Sequence, residues 1–178
     1  SATLASATPS SISASGSSYT LGVSLTGTPD GNEVITVTPV DNSIYDHVGN
    51  ESSTIQSNNT VTLYDNTPPT MTAVNIVSNN SNYTNLATVG DNVTVTFTSS
   101  ETITTPSVLI GGQSATVSGS GTSWSAVKAM ASGDTEGIIS IAIDAIDLSD
   151  NIGTTATAAT DNSQVTLDRT APTLAINI

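Results

Sequence analysis

The chain has 178 residues, of which 27 are Ser and 31 are Thr, and it contains no Cys. Two basic residues face fifteen acidic ones, giving a formal net charge of −13. Nucleic acid is excluded as a partner and an anionic membrane surface is disfavoured, because both require clustered Lys and Arg. No apolar run is long enough for membrane insertion, and rigidity must come from packing, metal ions or a crosslink other than a disulfide.

The first part of the chain shows strand patterns separated by turn signals. Tyr19, Leu21, Val23 and Leu25 alternate with small or polar residues, which is the period-two pattern of a half-buried strand. The stretches "PDGNEVITVTPVD" and "VTLYD" follow, with the loop signal "DHVGN" between them. Residues 1–67 are therefore predicted to form short strands.

The second part continues in the same way. In "NVTVTFTSS", Val93, Val95 and Phe97 alternate with Thr, and Ile139, Ile141 and Ile143 alternate similarly. Helical periodicity with caps is not found. About seven short strands per hundred residues is the spacing of an antiparallel β-sandwich, so an all-β fold is expected.

The two parts share a repeat. The phrase "TPPT" at 67–70 matches "TAPT" at 170–173, "VTLYD" matches "VTLD", and Tyr19 falls opposite Trp124. The period is about 105 residues, which is the size of one domain. Residues 1–67 are predicted to be the C-terminal part of a first repeat, 68–169 a complete second repeat, and 170–178 the first strand of a following one.

Several phrases resemble a known family. The joints "DNTPPT" and "DRTAPT", the loop "DHVGN" with its shorter counterpart "DNIG", and "TEG" before a long strand are similar to the bacterial Ig-like repeats. These occur in tandem in large surface proteins of bacteria and some archaea. The resemblance covers nearly the whole chain and implies tandem Ig-like β-sandwich domains, the first one incomplete. Such repeats project an adhesive tip, build a stalk or tile a surface layer, and many take calcium at their joints.

Acidic residues recur at matching places in the two copies. Hard cations such as calcium prefer clustered carboxylate and carbonyl oxygens. The predicted ligands form three matched pairs: Asp65 with Asp168 before the joints, Asp41 with Asp147 at strand ends, and Asp46 with Asp150 in the following loops. The alternative is that these side chains only bond nearby backbone amides in turns.

Lys128 and the sequons suggest covalent modification. Lys128 alternates in phase with Trp124 and Met130, so an inward Lys could form an isopeptide bond, or it could snorkel or pair with a carboxylate. Glycosylation sequons begin at five Asn residues, a number that chance alone would give: Asn50, Asn58, Asn79, Asn82 and Asn92.

The expected function is non-catalytic. The single His, His47, lies in a loop without a Cys or a Ser-His-Asp arrangement. We expect an extracellular stalk or adhesion module at the cell surface, stiffened by calcium, with neighbouring repeats and a surface or matrix ligand as partners. The alternative is a subunit of a surface layer or filament assembled by strand addition. A sugar- or ice-binding module is a third class, but Trp124 is better explained as core.

Overall fold

The computed structural model describes residues 1–176, and in that range it contains strands, turns and loops but no helix. The predicted all-β fold is confirmed. The described residues accordingly offer no helix of the length and apolarity needed to cross a membrane. The chain forms two compact units, Ser1–Thr67 (unit 1) and Pro68–Ile178 (unit 2).

Unit 1 consists of three antiparallel strand pairs, β1 with β4, β2 with β3, and β5 with β6. Among the residues that the structure describes in unit 1, Ala2 alone is buried. The strands are β1 (Thr3–Leu4), β2 (Ser11–Ser15), β3 (Ser18–Gly22), β4 (Leu25–Thr26), β5 (Val34–Thr36) and β6 (Thr60–Thr62).

Unit 2 contains ten strands in three sheets. They are β7 (Met71–Ser78), β8 (Leu86–Ala87), β9 (Asn92–Ser99), β10 (Ser107–Ile110), β11 (Gln113–Ser114), β12 (Thr116–Ser120), β13 (Ser123–Ala129), β14 (Gly137–Ile138), β15 (Ile141–Asp144) and β16 (Thr166–Leu167). The sheet orders are β12-β13-β9-β7, β11-β10-β15 and β14-β16-β8. All pairs are antiparallel except β16 with β8.

The core of unit 2 follows from the predicted alternation. Val93, Val95 and Phe97 of β9 are buried, while the Thr residues between them are partly or fully exposed. Trp124 of β13 lies opposite Phe97 and is 9% exposed, and its indole N–H donates to the carbonyl of Gly121 at 3.1 Å. Ile, Val and Leu side chains of the other strands complete a sandwich-like core.

The repeat is visible in one hairpin of each unit, β2–β3 in unit 1 and β12–β13 in unit 2. In β2–β3, Ala14 lies opposite Tyr19, and in β12–β13, Gly119 lies opposite Trp124. The turns also match, with φ of 60° at Gly16 and 61° at Gly121, a left-handed conformation that favours glycine. The two hairpins therefore share strand register and turn.

The predicted strand at 170–178 is not seen in the described part of that segment. Residues 170–176 have no strand partner and are exposed, Leu174 by 85%. Residues 177 and 178 lie outside the described range. Residues 170–176 match the start of β7 in sequence but do not form a strand.

The outer edge of β7 is covered by a loop rather than by another strand. The hydroxyl of Thr160 accepts the Val74 N–H at 2.9 Å, and the Thr160 N–H donates to the Val74 carbonyl at 2.9 Å. The hydroxyl of Ser163 accepts the Ile76 N–H at 2.9 Å, and the Asp161 carboxylate accepts the Asn75 amide at 2.6 Å. These contacts satisfy an edge that could otherwise pair with another chain.

The edge cover should weaken in acid. Hydrogen bonds from Ser163 and Asn75 lower the pKa of Asp161 from 3.8 to about 2. A carboxylate with a depressed folded-state pKa stabilises the fold above its unfolded pKa and loses that contribution as the pH falls towards 2. We expect the unfolding midpoint of the wild type to fall more steeply between pH 4 and pH 2 than that of Asp161→Asn, measured by circular dichroism.

The matched control is Asp150→Asn, which removes an exposed carboxylate in another loop of unit 2. If both variants show the same pH dependence, the Asp161 contacts do not hold the edge.

Candidate functional site

Two loops of unit 2 bring two acidic side chains together. Glu101 follows β9 and Asp147 follows β15. An isolated antiparallel bridge pairs Ile103 with Asp147, and the Thr104 N–H donates to the Ile146 carbonyl at 2.8 Å. A carboxylate oxygen of Glu101 consequently lies within 4.8 Å of one of Asp147. We call these two residues the acidic pair.

Asp147 is held rigidly by its own loop. Its side chain is 1% exposed. Its Oδ1 accepts the N–H groups of Ser149 at 2.7 Å and Asn151 at 2.8 Å, and its Oδ2 accepts the Asn151 side-chain amide at 2.8 Å. Because every donor is a neutral amide, these bonds orient the carboxylate without neutralising its charge.

The basic residues of the chain contact other groups. Lys128 pairs with Asp134, and Arg169 lies 4.0 Å from Glu136. The sequence contains no further Lys or Arg. Two carboxylates this close, one of them buried, are the kind of arrangement that a bound cation stabilises.

The start of unit 2 lies against both loops. Thr70 donates its N–H to the Ser100 hydroxyl at 3.0 Å and accepts the Ser100 N–H at 2.8 Å, next to Glu101. Pro69 is buried, and a Cβ added to Gly153 would lie 2.5 Å from the Pro69 carbonyl oxygen. Glycine at 153 therefore allows the Pro69 backbone to approach the loop that carries Asp147.

The same loop geometry is present in unit 1. Asp46 Oδ1 accepts the N–H groups of Val48 at 3.0 Å and Asn50 at 2.8 Å, and its Oδ2 accepts the Asn50 amide at 2.8 Å. The hydrogen bond from the Asn50 side chain lowers the pKa of Asp46 most, and the hydrogen bond from the Asn50 backbone N–H lowers it further. Isolated bridges close both loops, Tyr45 with Glu51 and Ile146 with Ile152.

These bonds correct the matching of residues inside the repeat. The sequence paired Asp41 with Asp147 and Asp46 with Asp150, but the hydrogen bonds make Asp46 the counterpart of Asp147. Asp150 instead matches Gly49. Both residues have a positive φ, 66° at Asp150 and 91° at Gly49. The difference arises because unit 1 has extra residues before this loop.

The remaining predicted ligands are placed as follows. Asp65 and Asp168 each accept the same kind of hydrogen bond within their own turn. Asp65 Oδ1 accepts the Thr67 N–H and Asp168 Oδ1 accepts the Thr170 N–H, each at 2.9 Å. Asp41 is exposed and accepts the Asn42 amide at 3.1 Å. Within unit 2, Asp147 is the predicted ligand that lies beside another acidic side chain, and Asp150 and Asp168 are exposed.

Glu101 is the residue that sequence reasoning missed. It lies in "TSSETITT", a segment with no counterpart in residues 1–67, so comparison of the two copies could not reveal it. The available signal was its position, a carboxylate directly after the most regular strand of the chain.

Lys128 forms an ion pair that is largely shielded from solvent. Its Nζ contacts Asp134 Oδ2, and both side chains are 11% exposed. The hydrogen bond from the Ala131 N–H lowers the pKa of Asp134 most, and the hydrogen bond from Lys128 lowers it further. The pair gives Lys128 a partner without an isopeptide bond, which requires a neutral amine and a protonated or amidated carboxyl group.

The five sequon asparagines are all exposed, and they differ in their hydrogen bonds. The Asn50 amide donates to Asp46, and the Asn79 side-chain oxygen accepts the Asn92 N–H at 2.7 Å. Asn58 and Asn82 are exposed on loops, and Asn92 is exposed at the start of β9. Glycosylation at Asn50 would compete with the Asp46 loop.

We expect Asp147→Ala to destabilise unit 2 by about 2–3 kcal/mol, because hydrogen bonds to a charged group are lost and the amides of Ser149 and Asn151 lose their acceptor. Urea unfolding without divalent ions measures this change. The control, Leu148→Ala, alters an exposed neighbour in the same loop, and equal losses in the two variants would contradict a special role for the carboxylate.

We expect the intact mass of the folded protein to equal the mass of the sequence, because Lys128 and Asp134 form an ion pair. Mass spectrometry of the wild type and of Lys128→Arg checks this. Loss of one water or one ammonia in the wild type alone would demonstrate the crosslink.

Comparison with known proteins gives no assignment: no family model, curated protein or solved structure matches this chain. Among the described residues, the acidic pair is the feature with the clearest chemical consequence.

Proposed function

We propose that the chain is a non-catalytic segment of tandem Ig-like repeats in an extracellular cell-surface protein. It acts as a stalk or adhesion module whose joints are stiffened by calcium. The observation that carries the proposal is the acidic pair, Glu101 with Asp147, at the place where the chain enters unit 2.

The chemistry of the pair favours calcium among common metals. Its donors are carboxylate oxygens, whereas zinc and copper sites usually include His or Cys. Calcium takes six to eight oxygen ligands in flexible geometry, so it accepts carboxylates from separate loops together with carbonyls and water. Magnesium requires a more regular octahedron.

Asp65 is a separate candidate ligand at the joint. It precedes Pro69 by four residues, and its match in the repeat, Asp168, stands before the second joint phrase. We propose Asp65 as a joint ligand on this sequence pattern.

Calcium at the joint would restrict its motion. Pro68 and Pro69 already limit the backbone because proline fixes φ. A bound ion adds a second constraint. A stalk gains reach from such joints because bending between domains is reduced.

The same features disfavour catalysis. The acidic pair contains carboxylates alone, and Asp147 is already oriented by neutral amides. His47 lies in an exposed loop of unit 1. Acid–base chemistry would require a substrate pocket around groups of separated pKa, and the pair instead offers a place for an ion.

A second candidate is a subunit of a surface layer or filament assembled by strand addition. One observation favours it: Ile12 and Tyr19 of the β2–β3 hairpin are exposed, whereas their counterparts in unit 2, Val117 and Trp124, are partly buried and buried. The two candidates are compatible, since repeats of a stalk can also exchange strands.

We expect calcium to raise the unfolding midpoint of the wild type relative to EDTA at matched ionic strength. A ligand at a hundred times its Kd stabilises the folded state by about 2.7 kcal/mol. Glu101→Gln should abolish the calcium-dependent rise, because it removes one charge from the pair. Differential scanning calorimetry measures both proteins.

Glu51→Gln, the same chemical change at an exposed position of unit 1, is the control and should keep the rise. An equal rise in Glu101→Gln and Glu51→Gln would refute the site. Asp65→Asn separates two cases: loss of most of the rise supports the joint, whereas an undiminished rise rejects Asp65 as a ligand.

A further inference from the structure

The matching hairpins β2–β3 and β12–β13 differ in the strand that pairs with their second strand. In unit 2, β13 pairs with β12 on one side and with β9 on the other, over seven residue pairs from Ser123–Thr98 to Ala129–Asn92. In unit 1, the described residues give β3 one strand partner, β2. The second edge of β3 corresponds to the edge that β9 fills in unit 2.

The missing neighbour changes the burial of the apolar side chains. Tyr19 is 67% exposed, whereas Trp124, its counterpart, is 9% exposed. Leu25 is 37% exposed, whereas Met130 at the matching place is 3% exposed. Residues 19–25, which run from β3 into β4, thus keep the apolar pattern of a covered strand, although Tyr19 and Leu25 are exposed in this structure.

We propose that the free edge of β3 binds an antiparallel strand of the same kind as β9. Its partner has large apolar residues at alternate positions and hydroxyl residues between them, as in "NVTVTFTS". The register places an apolar side chain opposite Tyr19, as Phe97 lies opposite Trp124. This inference deepens the strand-addition candidate and specifies its edge, orientation and partner chemistry.

The register of the hairpins supports this assignment. Ile12 lies opposite Leu21 in unit 1, and Val117 lies opposite Ala126 in unit 2, so the inward faces coincide pair by pair. Because side chains alternate with period two, a strand that follows the β9 register places its apolar face on the same side as Tyr19. Ser18 and Thr20 then face the partner's hydroxyl residues.

The C-terminal segment of a second copy fits this edge less well. Residues 170–176 match the start of β7, since "TAPTL" corresponds to "TPPTM". In unit 2, β7 pairs with β9 and does not pair with β13. A β7-type strand therefore belongs one position further out in the sheet.

The test is a fusion that supplies the partner in the same chain. A second copy of residues 68–105 is placed before Ser1, so that the new Thr-Ser junction copies the junction between Thr105 and Pro106. We expect hydrogen exchange of the amides in 18–25 to slow by at least about tenfold relative to the unfused chain. Mass spectrometry measures the exchange, in EDTA, so that the result does not depend on the calcium site.

The control fusion carries Val93→Asp, Val95→Asp and Phe97→Asp in the added copy alone. It has the same length and the same polar positions but lacks the apolar face. The amides of β13 in the original unit 2 serve as an internal reference and should exchange equally in all three proteins. Equal exchange of 18–25 in the two fusions would overturn the proposal.

Sedimentation of the unfused chain tests the other occupant. If a second copy filled the edge with its C-terminal segment, the chain would associate with rising concentration, and deletion of residues 170–178 would make it monomeric. That result would also overturn the assignment of a β9-type partner. A monomer with fast exchange at 18–25, protected by the fusion, supports it.

Discussion

A strand has two hydrogen-bonding edges and at least one apolar face, and the arrangement of this protein depends on how each edge is filled. In unit 2, β9 is central because it supplies Val93, Val95 and Phe97 to the core and pairs with β7 and β13 at once. The outer edge of β7 is closed by hydroxyl and carboxylate groups of the loop at 160–163. Side chains there replace a further strand, which ends the sheet without exposing a flat edge.

The sequence predicted the features that depend on periodicity. The alternation in "NVTVTFTSS" correctly identified β9 and its buried face, and the repeat matched Tyr19 with Trp124, which the structure places at equivalent positions of two hairpins. Alternation could not predict how well each face is covered, because burial depends on the neighbouring strand. Tyr19 and Trp124 thus occupy equivalent positions in the hairpin but have very different exposure.

The candidate site was predicted in part. Asp147 was among the expected ligands because acidic residues recur between the copies, but its counterpart was misassigned to Asp41. Loops change length between repeats, so a constant offset fails there, whereas the hydrogen bonds of Asp46 and Asp147 identify the true match. Glu101 was missed because its proximity to Asp147 is a tertiary fact, created by the bridge between Ile103 and Asp147 across distant parts of the sequence.

Asp134 and Asp147 of unit 2 show two different ways in which a carboxylate is used. Asp134 contacts a Lys, so its charge is neutralised locally and it braces a loop. Asp147 is oriented by amides that leave its charge intact, beside a second carboxylate. A fold with two basic residues can neutralise few of its fifteen acids internally. The remaining charge is balanced by cations from solution, and the acidic pair could hold one of them.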